Sequence, residues 1–348
     1  MPLDRASHQV ESSSPRSCTV AVIIPCYRVR DRVAEVIRGI GPNVDRIYCV
    51  DDACPEQSGR HIQASIADPR VRVLFNEQNL GVGGATLRGF RAALEDRCDI
   101  LVKLDGDGQM NPGMIPRLIS PLLHRRADYS KGNRFYHIED TTQMPLARLV
   151  GNAMLSFVAK ASTGYWNIFD PNNGFVAIHA WAARKLPLEK IRHNFFFESD
   201  MLFHLNIIGA VVEEVPHKAI YRGEKSNLNI FGVMPLFLSG HVRNFSRRIF
   251  YNYFLRGFSV TSLELILGVL LLLWGVIYGA VEWRESIVSG IPKSAGVIIL
   301  AALPVLIGVQ FILDFLGYDM NQIPKVPLQV RFDKMDLEEE EKDAVCKP

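Results

Sequence analysis

Two stretches near the C-terminal end of this chain, Leu265 to Val281 and Ala295 to Leu313, contain no charged residue at all. At about 1.5 Å of rise per residue, each helix would cross most of a hydrocarbon layer of roughly 30 Å once flanking residues are counted. The connection between them, Glu282 to Ser294, is too short to hold a domain. The two runs therefore predict a membrane hairpin spanning residues 258–320. Two buried helices of a soluble fold are the competing reading.

Positive charge orients the hairpin. Arg243, Arg247, Arg248 and Arg256 precede it and Lys325, Arg331 and Lys334 follow it, whereas the connection sets Arg284 and Lys293 against Glu282 and Glu285. The positive-inside rule then places both flanks, the domain that precedes the hairpin and both termini on the cytoplasmic side of the inner or plasma membrane. The six cysteines show neither metal spacing nor a disulfide framework, which suits a reducing compartment. Residues 1–16 are polar and Ser-rich, read as a disordered arm without the apolar core of a signal peptide. Residues 227–257 mix aromatic and aliphatic residues with arginine and predict juxtamembrane amphipathic helices, the arginines meeting headgroup phosphates. Residues 321–348, with acids in a run at Glu338 to Glu341, read as a solvated cytoplasmic tail. A net charge of +2 without a basic, aromatic-laced stripe offers nothing to nucleic acid.

Residues 17–226 alternate strands with helices. Thr19–Ile24, Arg46–Val50, Val71–Phe75 and Ile100–Leu104 are short β-branched or apolar runs, while Val33–Ile40 and Gly84–Leu94 have helical spacing. That order predicts an α/β domain with a mostly parallel sheet and helices on both faces, its ligand loops at the carboxyl ends of the strands.

The candidate chemistry falls in those loops. Asp105, Asp107 and Gln109 alternate directly after an apolar run, so all three side chains can converge on one cation, and oxygen ligands favour Mg or Mn. The same residues also suit an ordinary Asp-Gly turn. Asn79 to Ala85, with Gly81 and Gly83, lies between a strand and a helix and would let that helix start close to a nucleotide; with Thr86 in the third position it is incomplete as a dinucleotide fingerprint. Arg134, and Arg148 with Asn152 one helical turn on, carry forks and amides suited to a diphosphate or lipid phosphate. Asp170 opens a polar turn, Glu198 and Asp200 follow three phenylalanines, and Arg222 and Lys225 gather charge where a lipid headgroup would arrive.

Together these residues resemble family 2 glycosyltransferases of the GT-A fold, and most closely the polyprenyl-phosphate glycosyltransferases, which include the dolichyl-phosphate mannose synthases. The likeness covers residues 19 to 226 by motif, and the hairpin matches the bacterial subgroup. Pro25 and Tyr27, Asp51-Asp52 and the glycine turn resemble the loops that enclose the nucleotide in that family. Asp105 and Asp107 resemble its metal-binding acids, with Gln109 matching a further ligand, Arg134 and Arg148 its phosphate-contacting arginines, and Asp170 the acid near the reacting centre. Arg28 and Val29 depart from the usual Asn and Glu.

The resemblance implies an inverting transfer from a UDP- or GDP-linked sugar to undecaprenyl or dolichyl phosphate, for cell-envelope glycan or glycoconjugate synthesis, by a homo-oligomer. A lipid phosphate with a second pKa near 6 is already a nucleophile at neutral pH, so Asp170 needs only a positioning or electrostatic role. An acceptor hydroxyl would instead require a base such as Asp200. A non-catalytic scaffold that binds sugar nucleotide is the third reading.

Overall fold

The computed structural model describes residues 18–134, 146–217 and 230–332, with the side chains of 146–153 and 230–233 left aside. Its strands are β1 (Val20–Cys26), β2 (Arg46–Asp51), β3 (Val71–Phe75), β4 (Ile100–Lys103), β5 (Tyr129–Asn133), β6 (Val176–His179) and β7 (Val212–Pro216). They form one sheet in the order β3-β2-β1-β4-β6-β5-β7. β6 alone among these runs against its neighbours, pairing antiparallel with both β4 and β5. The expected mostly parallel sheet is therefore present. The reversal matters because it brings the chain entering β6 to the edge where β1, β2, β4, β5 and β7 end.

Alternation along β1 buries both of its faces. Ala21 and Ile23 join one apolar core, with Phe90 and Leu87 of α3 (Gly81–Glu95) and Leu202 of α7 (Phe197–Ile208). Val20, Val22, Ile24 and Cys26 join the other, with Val33, Val36 and Ile37 of α1 (Arg30–Arg38) and Leu118 of α4 (Ile115–Leu123). A strand covered on both sides reads as a continuous apolar run, as β1 does. Two shorter helices, α2 (Ser58–Ser65) and α6 (Ala180–Lys185), complete the covering.

Beyond the sheet lie α5 (Leu146–Thr163), α8 (Ile230–Phe250), a π-helical turn at Tyr251–Leu255, α9 (Val260–Ser289) and α10 (Ala295–Asn321). α9 and α10 are long and apolar enough to cross a membrane, and only 22% and 6% of their most apolar windows are buried. Core helices of a soluble fold would be covered, so that alternative loses its support. The two helices meet through small residues: a Cβ on Gly275 would lie 2.7 Å from the Ala301 carbonyl oxygen, and one on Gly308 would lie 2.7 Å from the Leu272 nitrogen. Close backbone approach of this kind replaces the hydrophobic drive that lipid removes.

The chain returns from the hairpin to the sheet. Asp128, fully buried, accepts from the backbone of Leu328 at 2.8 Å and of Val211 at 2.9 Å, and Leu328 sits in the core beside Val212. The stretch from 321 read as tail is thus docked as far as Phe332, because Leu328 and its neighbours bury apolar surface there; residues 333–348 lie outside the described residues. Both ends of the hairpin consequently join the same domain and lie on the same side of any bilayer it crosses.

α8 departs from its expected use of arginine. Arg248 is buried against Asp319 of α10, and Arg243 lies 3.7 Å from Asp200, so these two serve the protein interior in place of headgroups. Beside them Met234, Leu238, Val242 and Phe245 form an exposed apolar stripe at helical spacing.

Candidate active site

At the end of β4, Asp105, Asp107 and Gln109 are all partly exposed at the sheet edge. Gly108 adopts φ +78°, a conformation that spares glycine the Cβ penalty and turns the backbone between Asp107 and Gln109. Beneath them Lys103 is fully buried, its ammonium 2.7 Å from Asp105 Oδ1, 3.4 Å from Glu198 Oε1 and 3.3 Å from the Gly174 carbonyl. Burial alone would favour the neutral amine, yet Asp105 and Glu198 outweigh it and hold Lys103 above its ordinary value. Asp107 is raised by its own burial and by the charge of Asp105, against a 3.0 Å bond from the Gln109 backbone. Among the described residues no ion pair is found for Asp107. A carboxylate that is disfavoured, reachable and beside a second one fits a hard divalent cation, whose charge would relieve both. No cluster of three or more His, Cys, Asp or Glu occurs among the described residues, so such a cation would rest on two acids, the Gln109 amide, and oxygens from water or substrate.

The antiparallel entry to β6 places residues 170–175 opposite this pair. Arg134, just past β5, grips Asp170 with a fork, Nε at 2.8 Å and Nη2 at 2.9 Å. Burial pushes the Asp170 carboxyl up, but the Arg134 fork overcomes it and holds the group below the usual carboxylate value. Glu214 of β7 accepts from the Phe169 and Asp170 backbone at 2.8 and 2.7 Å, fixing the turn from below. Asn173 donates to Asp170 at 3.3 Å and meets His217 Nε2 at 2.8 Å, while its carbonyl accepts from the ammonium of Lys131. One loop thereby joins the β4 acids, through Gly174 and Lys103, to the Arg134–Asp170 pair.

Other expected residues are distributed differently. Tyr27 is exposed beyond β1 with the Arg28 guanidinium 5.4 Å from its ring centroid, and Pro25 is the one partly exposed residue of its strand. Asp52 turns inward, accepting from the backbone of Leu80 at 2.9 Å and Gly81 at 2.8 Å. Gly83 donates to His193 O at 2.9 Å, and Cβ atoms on Gly81 or Gly83 would stand 2.7 Å from the carbonyls of His193 and Arg192. Asp52 thus fixes the turn that opens α3, and Gly81 and Gly83 let that opening pack against the 192–194 loop. Glu198 and Asp200 also part company. Glu198 faces Lys103, whereas Asp200, fully buried, accepts from Arg192 N at 2.8 Å and Asn244 Nδ2 at 2.9 Å. As the base for an acceptor hydroxyl, Asp200 is corrected to a strut between α7 and α8. The side chains of Arg148 and Asn152, and all of Arg222 and Lys225, lie outside the described residues.

Lys103 and Lys131 were missed, although a lysine inside a short apolar strand is a readable signal: burial there demands a partner. Burial pushes Lys131 down to about 8, with Asp170, Glu198 and Glu214 opposing. The folded chain therefore releases this proton near pH 8, whereas an unfolded lysine holds it to about 10.4. Between these values the unfolded state binds more protons, so the Lys131 contribution to stability rises with pH. Thermal unfolding of Lys131→Met against the unmodified chain should show a difference that moves toward the unmodified chain from pH 8 to 10. A difference independent of pH would refute the shift.

A mostly parallel sheet with paired acids at the end of its fourth strand defines a GT-A-like glycosyltransferase domain, and the comparisons agree. Residues 21–191 match the family described as Glycosyl transferase family 2. An undecaprenyl-phosphate mannosyltransferase of Micrococcus luteus is 32% identical over 202 residues, 57% of this chain and 82% of that protein. A UDP-N-acetylglucosamine–dolichyl-phosphate N-acetylglucosaminyltransferase of Methanococcus voltae is 29% identical over 218 residues, 58% of this chain and 86% of that protein. The chain belongs to glycosyl transferase family 2. Among solved structures, glucosyl-3-phosphoglycerate synthase of Mycobacterium tuberculosis in complex with Mn2+, UDP and glucosyl-3-phosphoglycerate shares the fold, with a TM-score of 0.50 and 19% identity over 66% of this chain and 80% of that one.

Proposed function

We propose that this enzyme transfers a sugar, with inversion, from a nucleoside-diphosphate sugar to a polyprenyl phosphate on the cytoplasmic face of a membrane. The observation that carries the reading is the meeting, at one sheet edge, of the Asp105–Asp107 pair and the Arg134–Asp170 pair beside an exposed apolar rim. Phe169, next to Asp170, is 51% exposed and its carbonyl accepts from Ser156 of α5 at 3.2 Å, where Met154 and Phe157 are also exposed. An isoprenoid chain needs such a surface, and the relatives' names supply the lipid phosphate.

Asp105, Asp107 and Gln109 would hold Mg or Mn, as the Mn2+ of the structural neighbour supports in general terms. A divalent cation bound there supplies positive charge for the departing diphosphate. Lys103 fixes the orientation of Asp105, and Lys131 adds positive charge beneath the 170–175 loop. Asp170, kept ionised by Arg134, is a poor proton acceptor, which suits a phosphate nucleophile that needs no strong base. Its role is to set Arg134 where two anionic groups must approach. Tyr27 and Pro25 border the side assigned to the nucleotide, and Arg148, Asn152, Arg222 and Lys225 remain the proposed acceptor-phosphate contacts.

Purified protein in nanodiscs, given polyprenyl phosphate and a panel of radiolabelled UDP- and GDP-sugars, tests this directly. Thin-layer analysis should show label moving to the lipid with one donor. Transfer only to acceptors bearing a free sugar hydroxyl would overturn the acceptor assignment.

A further inference from the structure

A cavity of about 480 Å³ lies away from the β4 acids and shares no residue with them. Its walls come from the catalytic domain at Asn206, the π-helical turn at Asn252, the link from that turn to α9 at Arg256 and Phe258, the end of α10 at Tyr318, and the returning chain at Arg331. The beginning of α9 and the end of α10 are the same end of the hairpin. The cavity therefore sits where the apolar run stops, the level of lipid headgroups in any bilayer the hairpin crosses.

Its chemistry is cationic. Arg248 and Asp319 both line it but neutralise each other through contacts of 2.6 and 2.8 Å. Arg256 and Arg331 remain exposed, with no ion pair found for either among the described residues. The Arg248 side chain is 2% exposed, and its Nε is buried without a hydrogen-bond partner. The rim is amphipathic, since Phe258 is 61% exposed, Leu255 65% and Tyr318 43%. Aromatic rims beside a cationic cavity suit a molecule with an anionic head and an apolar body.

We propose that this cavity binds the phosphate headgroup of an anionic membrane lipid, at a site separate from the reacting centre and independent of which acceptor the enzyme uses. Headgroup oxygens would meet the charges of Arg256 and Arg331, pinning the catalytic domain to the hairpin at a set depth.

Native mass spectrometry of the full chain in a neutral maltoside, with phosphatidylglycerol, phosphatidylcholine or inorganic phosphate as probes, tests the site. One phosphatidylglycerol should be retained at least tenfold more strongly than phosphatidylcholine. The Arg256→Gln/Arg331→Gln double variant should lose that preference, and the Arg256→Lys/Arg331→Lys variant should keep most of it, separating charge from folding. Millimolar inorganic phosphate should displace the lipid; stabilisation by inorganic phosphate with no lipid retained would overturn the lipid source. Equal retention of both lipids, or of phosphatidylglycerol by the unmodified chain and the glutamine variant, would overturn the site. Retention that emerges only after removal of residues 333–348 would assign the arginines to the acidic run Glu338 to Glu341 and overturn it as well.

Discussion

Asp107→Asn is expected to lower sugar transfer about 10²- to 10³-fold, the range that follows loss of one charge-stabilising group at a reacting centre, while leaving the fold as stable as before or more so. The two halves of this expectation share one cause. The Asp107 carboxylate is partly buried beside Asp105, and its charged form is disfavoured by that burial and by its neighbour. An amide of the same shape keeps an acceptor oxygen for the Gln109 backbone N–H and removes the repulsion. What it no longer offers is negative charge to a divalent cation. Asp105→Asn should differ, because Asp105 is the closer partner of the buried Lys103 ammonium, at 2.7 Å against 3.4 Å for Glu198. That variant should lose activity and thermal stability together. Initial rates across a Mg or Mn titration, with melting curves of both variants, check the contrast. Undiminished transfer by Asp107→Asn would remove the acids from catalysis.

Asp319→Ala should destabilise the chain by about 3–5 kcal/mol, the usual consequence of stranding one half of a buried ion pair. Asp319, near the end of α10, is 2% exposed and accepts from four donors: Arg248 at 2.6 and 2.8 Å, Tyr253 Oη at 2.6 Å and Trp166 Nε1 at 2.9 Å. Those donors belong to α8, the π-helical turn and the loop that runs on to Asp170. One carboxylate thus ties the hairpin to the catalytic domain, and its removal leaves the Arg248 guanidinium buried with only the Ala161 carbonyl as acceptor. Arg248→Met combined with Asp319→Asn should recover much of the loss, since it removes both charges and keeps an amide oxygen for Tyr253 and Trp166. Melting temperatures of Arg248→Met, Asp319→Asn and the double variant in one detergent measure the coupling. Additive losses would mean that the pair contributes nothing as a pair.

Much of the architecture was legible before any coordinates. The strand read at Val71–Phe75 has the same bounds in the structure, and that at Ile100–Leu104 ends one residue earlier, at Lys103. Both are short apolar runs bounded by polar turns, a signal carried by neighbouring residues. The hairpin was legible for the same reason, although α9 and α10 extend to Val260–Ser289 and Ala295–Asn321, because a helix does not stop where its apolar run stops. α2 was not foreseen: eight residues starting after a left-handed Gln57 carry too little periodicity to register. The site was legible in its parts, as the acids after β4 and the basic residue after β5, but its pairings were not. The sequence marks Arg134 as a phosphate clamp and Asp170 as part of a polar turn, and in the fold they hold each other. Gly81 and Gly83 suggest room for a nucleotide in the sequence, and in the fold they admit the carbonyls of His193 and Arg192.

By itself the sequence determined the first four strands, the helices α1 and α3, the two membrane-long helices, and that a pair of acids follows the fourth strand. These depend on side-chain period and hydropathy, which act between residues a few positions apart. Only the tertiary structure decided that β6 enters antiparallel between β4 and β5, bringing Asp170 to Gly174 against Lys103, Lys131 and Arg134. It also decided that Glu198 faces the site while Asp200, two residues on, faces α8. A charged group's role depends on which partner meets it, and partners more than 30 residues distant are selected by strand order and helix packing.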